Sequence, residues 1–319
     1  MKVTQEVRME GIIERMISNV KKVIIGKDDI IEQMMICLLS EGHILLEGAP
    51  GLGKTKLAIA LSRSVEGSFK RVQFTPDVLP SDVTGFCLYN KETGELEYKE
   101  GAALCNFLLA DEINRASPRV QSSLLEAMEE RQVTVEGVTR ELPSPFMVIA
   151  TQNTIESQGT YPLPEAQMDR FFMKLHLEYP SRGEWEEILE QSEGVEPLKA
   201  LKQVVSLEEL EATKKKLREV VVSKEVKAYL LDLAEAISHH EMVEVGISPR
   251  GTIALLKATR GAAMVGGRSY ATPDDVQQVL KAVVGHRLVL KTQAQWKSTQ
   301  ISDILKEVLE QITPPVFHV

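Results

Sequence analysis

HILLEGAPGLGKTKLAIALSRSV, residues 43–65, passes from a continuous apolar run through a glycine-rich turn into a stretch with helical periodicity. Gly48, Gly53, Lys54 and Thr55 occupy the four fixed positions of a phosphate-binding loop, at the strand-to-helix junction where such a loop has to lie. Glycines let the backbone curl so that successive N–H groups from Gly51 to Thr55 point inward, and the helix N-terminus adds its partial positive charge. The Lys54 ammonium suits the β- and γ-phosphates of a nucleotide, and the Thr55 hydroxyl suits Mg2+. The expected nucleotide contacts are Gly48, Ala49, Pro50, Gly51, Leu52, Gly53, Lys54, Thr55 and Lys56. A glycine turn without chemistry is the bland alternative, and the flanking strand and helix argue against it.

Further along the chain, residues 106–112 read NFLLADE, two acids at the C-terminal end of a buried-strand pattern. Open α/β sheets place their ligands at such strand ends. Asp111 is expected to hold the magnesium through its water shell, opposite Thr55, and Glu112 to orient and polarise an attacking water. A third strand end, Ala150-Thr151-Gln152-Asn153, supplies Asn153, which can both donate and accept and so can touch the γ-phosphate and the water together. Alone, each would be an ordinary strand-end or turn residue. Their convergence on one crevice carries the reading.

From residue 42 to residue 172 short apolar runs alternate with helical stretches, the pattern of a parallel α/β sheet covered on both faces. Strands are predicted at His43–Glu47, Arg71–Phe74, Phe107–Ala110 and Phe146–Ala150, and three of the four are continuously apolar. Two segments read as antiparallel hairpins: Gly85–Gly101 around Thr93-Gly94, and Gln132–Leu142 around Glu136-Gly137. Residues 11–40 read as two helices broken at Gly26-Lys27. Beyond Tyr179-Pro180 the strand signals stop. There Ser206 and Glu209 form a capping box, and Val226, Tyr229, Leu230, Leu233 and Ile237 share a helical face. Thr272, Pro273 and Asp275 open another helix with a stripe of Val276, Val279, Leu280 and Val283, and the loop Gly246–Gly251, GISPRG, lies between the two. The expected organisation is a core at residues 1–190 with hairpin inserts at about 84–101 and 131–142, then a helical lid domain with a C-terminal tail at 191–319.

With 319 residues, 43% hydrophobic and 26% charged, the chain can bury a substantial core and lacks the composition of a disordered protein. No apolar stretch reaches the roughly 18–20 residues that cross a bilayer, so no membrane insertion is expected. The first residues, MKVTQEVRME, show no continuous apolar segment of a secretory leader. Cys37, Cys87 and Cys105 lack metal-ligand spacing and fit free thiols in a cytoplasmic protein. A net charge of −9 disfavours nucleic acid as a partner.

The stretches ADEINRASPRVQSSLLEAMEE (residues 110–130), IATQN (149–153), YPLPEAQMDRFFMKL (161–175) and QFTPDVLPSDVTG (73–85) resemble motifs of the MoxR-type AAA+ ATPases, and the likeness runs from about Val20 to Leu290. The resemblance implies a P-loop αβα sandwich with a small all-α lid, ATP and Mg2+ as nucleotide and metal, and assembly into a ring, hexameric in relatives. It implies that Lys54 and Thr55 belong to Walker A, Asp111 and Glu112 to Walker B, and Asn153 to sensor 1. Arg170 in the Asp-Arg-Phe step resembles the arginine finger that enters a neighbouring subunit's site, and Arg250 in SPRG the sensor 2 arginine of the lid. VIIGK, residues 23–27, resembles the segment beside adenine, which puts Ile24, Ile25 and Gly26 at the base. The hairpins resemble inserts that face the channel and contact clients. Arg115 and Arg119, after the acids, suggest a subunit interface or a solvated helix face. Family members remodel protein clients, often with a partner carrying a von Willebrand factor A domain. The alternatives are a nucleic-acid-dependent motor and a nucleotide-gated scaffold with little turnover.

Overall fold

The computed structural model describes residues 3–154, 159–194 and 196–315. The first two residues read for a leader and the last four of the C-terminal tail lie outside these. Helices α1 (Val3–Lys21) and α2 (Asp28–Leu39) lead into β1 (Ile44–Gly48), α3 (Lys54–Ser64) and β2 (Phe69–Gln73). A short α4 (Pro80–Thr84) precedes the hairpin β3 (Gly85–Tyr89) and β4 (Leu96–Glu100), followed by β5 (Phe107–Asp111) and α5 (Pro118–Glu130). A second hairpin, β6 (Gln132–Val135) and β7 (Val138–Glu141), leads to β8 (Met147–Asn153), a short α6 (Glu165–Met168) and β9 (Met173–Leu177). Then come α7 (Arg182–Ser192), α8 (Pro197–Ala200), α9 (Leu207–Leu217), α10 (Lys224–Ser238), β10 (Val243–Val245) and α11 (Pro249–Val265). The described chain closes with α12 (Pro273–Val284), β11 (Val289–Leu290), α13 (Thr292–Trp296) and α14 (Ile301–Gln311).

Five parallel strands form the main sheet in the order β2-β5-β8-β1-β9. Alternate side chains divide between two cores, as the two-residue strand period requires. Ile44, Leu46, Phe107, Leu109, Met147 and Ile149 face α1, α2, α3 and the lid helices, whereas Leu45, Leu108, Ala110, Val148 and Ala150 face α5. Both hairpins form at the expected places, and the second turns on Glu136 and Gly137, both with positive φ (49° and 75°).

The structure corrects the sequence reading in three places. The sheet has a fifth strand, β9, because MKLHL alternates apolar with polar residues as an edge strand does, and its outward Lys174 reaches Glu47 at 2.9 Å. The C-terminal half carries a two-stranded pair, β10 with β11, so it is not purely helical. SPRG is not a loop: Ser248 caps α11, which places Arg250 in that helix's first turn.

The lid helices share the sheet's first core, with α11 crossing α2 closely enough that a Cβ on Gly261 would stand 2.7 Å from Ile36. Both predicted caps are made. Ser206 accepts from the Glu209 N–H at 3.1 Å, and the Asp275 carboxylate accepts from the Thr272 N–H at 2.7 Å. Among the described residues no helix is long and apolar enough to cross a membrane.

Candidate functional site

The glycine-rich loop between β1 and α3 needs left-handed backbone at Gly51 (φ 83°) and Gly53 (φ 87°). A Cβ at either would meet nothing within 4 Å, so glycine is there for the dihedral and not for space. The Lys54 side chain is almost fully buried, and its ammonium donates to the Gly48 carbonyl at 2.7 Å, the Ala49 carbonyl at 2.9 Å and Asn153 Oδ1 at 2.9 Å. A phosphate oxygen at Lys54 would compete with these three acceptors. Gly48 and Ala49 thus act through their carbonyls.

Asp111 closes β5 at 5% exposure, where an ionised carboxylate needs donors around it. It has them: the Thr151 hydroxyl donates at 2.6 Å, an Arg71 guanidinium N–H at 2.7 Å and the Thr55 hydroxyl at 3.1 Å. Thr55 and Asp111 present hard oxygens side by side, a donor pair that fits Mg2+, with the Arg71 guanidinium holding the countercharge. Among the described residues no group of three or more His, Cys, Asp or Glu could cage a metal.

Glu112 sits in left-handed backbone (φ 57°, ψ 50°), an uncommon conformation for a residue with a side chain. Its N–H donates to the Thr151 hydroxyl at 2.9 Å, so one threonine steadies both acids. Asn153 Nδ2 donates to Glu112 Oε1 at 3.0 Å, while Gln73 at 2.8 Å and Arg115 at 3.0 Å donate to Oε2. Asn153 therefore joins Lys54 to Glu112 directly.

These groups border a cavity of about 480 Å³. Lys56 and the loop from Pro50 to Thr55 line it, as do Arg71, Gln73, Asp111, Glu112 and Asn153. Its apolar flank comes from Val23, Ile24, Ile25, Leu177, Pro180 and, on α7, Trp185 and Ile188. Gly26 does not line it. A Cβ there would lie 1.7 Å from the Glu184 carboxylate, so Gly26 lets the N-terminal segment pack against α7.

Arg170 and Arg250 do not line this cavity either. The Arg170 Nε lies 3.0 Å from Glu129 Oε2, and Arg250 Nη1 donates to Glu129 Oε1 at 2.9 Å. Asp169, beside Arg170 in sequence, pairs with the nearly buried Arg287 at 2.7 Å. Arg115 faces Glu112 of its own chain. Arg71, Gln73, Thr151, Trp185 and Glu129 escaped the sequence reading. Only the strand order, which sets β2 beside β5 and β5 beside β8, could have nominated the first three.

The family described as ATPase family associated with various cellular activities (AAA) matches residues 43–173, and an AAA lid domain matches residues 235–308. The uncharacterized protein YeaC of Bacillus subtilis is 43% identical over 97% of this chain and 96% of its own. Chaperone MoxR1 of Mycobacterium tuberculosis is 42% identical over 95% of this chain and 82% of its own. A crystal structure from Cytophaga hutchinsonii, of a protein provisionally described as an ATPase, superposes with a TM-score of 0.90 at 34% identity, covering 99% of this chain and 98% of that one.

Proposed function

The chain belongs to the MoxR family of AAA+ ATPases, and from that premise we propose that it is a Mg2+-dependent ATP hydrolase that forms a ring and couples turnover to remodelling protein clients. One observation carries the catalytic part: Asn153 bonds Lys54 and Glu112 at once, while Thr55 and Asp111 meet beside them. Triphosphate binding would draw Lys54 from the loop carbonyls onto the β- and γ-phosphates, and the inward N–H groups would cradle the chain of phosphates. Asn153 then loses one partner and can turn to the γ-phosphate, which changes its hold on Glu112. Glu112, tethered by Gln73, Arg115 and Asn153, orients the attacking water and accepts its proton. Magnesium, held by Thr55 and Asp111, would neutralise charge on the phosphate oxygens.

Arg170 and Arg250 stand together on Glu129 and do not line their own chain's cavity, which supports the reading that both serve a neighbouring subunit's nucleotide. Family kinship supports a six-membered ring, a core at residues 1–190 with a lid at 191–319, and cytoplasmic work with a partner bearing a von Willebrand factor A domain. Glu112→Gln tests the chemistry. The variant should bind a fluorescent ATP analogue within about twofold of wild type and lose about a hundredfold or more in phosphate release. Wild-type turnover in Glu112→Gln would remove Glu112 from its role.

A further inference from the structure

Glu129 has no place in the mechanism so far, yet its carboxylate pairs with both arginines. Each guanidinium takes a different oxygen of the same carboxylate, at 3.0 Å for Arg170 and 2.9 Å for Arg250. The three side chains come from separate elements. Arg170 lies on the turn before β9, Arg250 in the first turn of α11, and Glu129 at the end of α5.

Glu129 is carried by an anchored helix, α5. Val120, Leu124, Leu125 and Met128 pack its inner face into the second core, and its 13 residues span about 20 Å. Arg250 is poorly placed on its own account, because a cation in the first turn of a helix opposes the helix dipole. A carboxylate beside it offsets that repulsion. Arg170 has a fixed backbone, since Arg287 holds the preceding Asp169, but its side chain still needs aiming. One carboxylate oxygen engages one of the five N–H donors that a guanidinium carries, so both arginines keep donors for another anion. Both also remain partly exposed, at 30% and 47% of side-chain surface.

We propose that Glu129 is a positioning residue of the site between subunits: it locks the core's Arg170 and the lid's Arg250 into one unit that meets the neighbour's transferring phosphate together. This rests on the trans assignment of the two arginines given above. Without Glu129 the two guanidinium groups are aimed separately, although Arg287 of the lid still holds the backbone beside the finger through Asp169.

Mixed assemblies of full-length chains test it. A Lys54→Ala subunit can donate arginines but has no working P-loop, and an Arg170→Ala subunit has a P-loop but no finger. Mixing the two should recover turnover. Replacing the donor by Lys54→Ala/Glu129→Ala should lower the recovered kcat by about tenfold with KM for ATP unchanged, because the working sites keep their own Glu129. Glu129→Gln in the donor keeps one acceptor oxygen and should fall between. In an Arg170→Ala/Arg250→Ala background, Glu129→Ala should have no further effect.

Full recovery with the Glu129→Ala donor overturns the proposal, as does a Glu129→Ala loss that persists undiminished once both arginines are gone. No recovery with the Lys54→Ala donor itself, despite co-assembly seen by light scattering, overturns the trans assignment and this proposal with it. If Glu129→Ala subunits do not assemble, the Glu129→Gln donor decides: equal recovery refutes the proposal and partial recovery upholds it.

Discussion

Thr151 is fully buried and spends its hydroxyl twice, donating to Asp111 Oδ1 at 2.6 Å and accepting the Glu112 N–H at 2.9 Å. The second bond matters because Glu112 is held in left-handed backbone, and an N–H stranded there would have to find another partner or relax the turn. Thr151→Val keeps the shape and removes the hydroxyl. It should cost about 1–3 kcal/mol of stability through the orphaned N–H. Turnover should drop about tenfold, with ATP affinity near wild type, because the two acids lose their shared brace while the phosphate loop is untouched. Thr151→Ser should restore most of both. Denaturant melts and a kcat/KM comparison check this, and unchanged turnover in Thr151→Val would show that the acids hold their geometry without it.

Secondary elements bring such residues together, and they explain which parts of the site could be read in advance. The loop around Lys54, the acids at the end of β5 and Asn153 at the end of β8 are local patterns, each a polar residue ending an apolar run. Arg71 and Gln73 carry no such mark. They matter because β2 pairs with β5 in a register that sets Gln73 opposite Asp111, a long-range fact that neither strand states alone. Strand β9 hid for the opposite reason, since its Lys174 and His176 broke the apolar run that marks a central strand. His43 shows elements being joined directly. Buried just before β1, its Nδ1 accepts the Val148 N–H at 2.9 Å and its Nε2 donates to the Met128 carbonyl at 3.1 Å, tying β8 and α5 to β1. Burial, reinforced by the Arg131 cation, lowers its pKa to about 3. The folded ring stays neutral while the unfolded one takes a proton below about pH 6.5, so its contribution to stability is present above that pH and is lost as pH falls toward 3. Urea midpoints should register a loss of about 2 kcal/mol from this group between pH 7.5 and pH 5. His43→Gln, although less stable throughout, should show a visibly flatter pH slope over that range. An equal slope in both proteins would assign the pH dependence to other groups.

Across the whole molecule, the proposed trans arrangement requires that charges kept apart in one chain be brought together. The cavity holds Lys54, Thr55, Asp111, Glu112 and Asn153, and the guanidinium that lines it, Arg71, is committed to Asp111. Transfer of a phosphoryl group spreads negative charge over its oxygens, and Arg170 and Arg250, proposed to answer it from a neighbouring subunit, stand on Glu129 and do not line that cavity. A single chain should therefore bind nucleotide well and hydrolyse it poorly. Specific activity should climb with total protein concentration and level off as subunits become fully associated, with the midpoint matching the association constant from sedimentation. Nucleotide affinity per chain should change by no more than about twofold across the same range, because the cradle is complete within each subunit. Arg170→Ala should bind and associate normally yet stay near the monomer's low rate at every concentration, a loss of about a thousandfold or more if it acts as trans arginines do in other phosphoryl-transfer sites. Turnover that stays proportional to protein from nanomolar to micromolar, with assembly changing over that span, would mean that one chain supplies every catalytic charge itself.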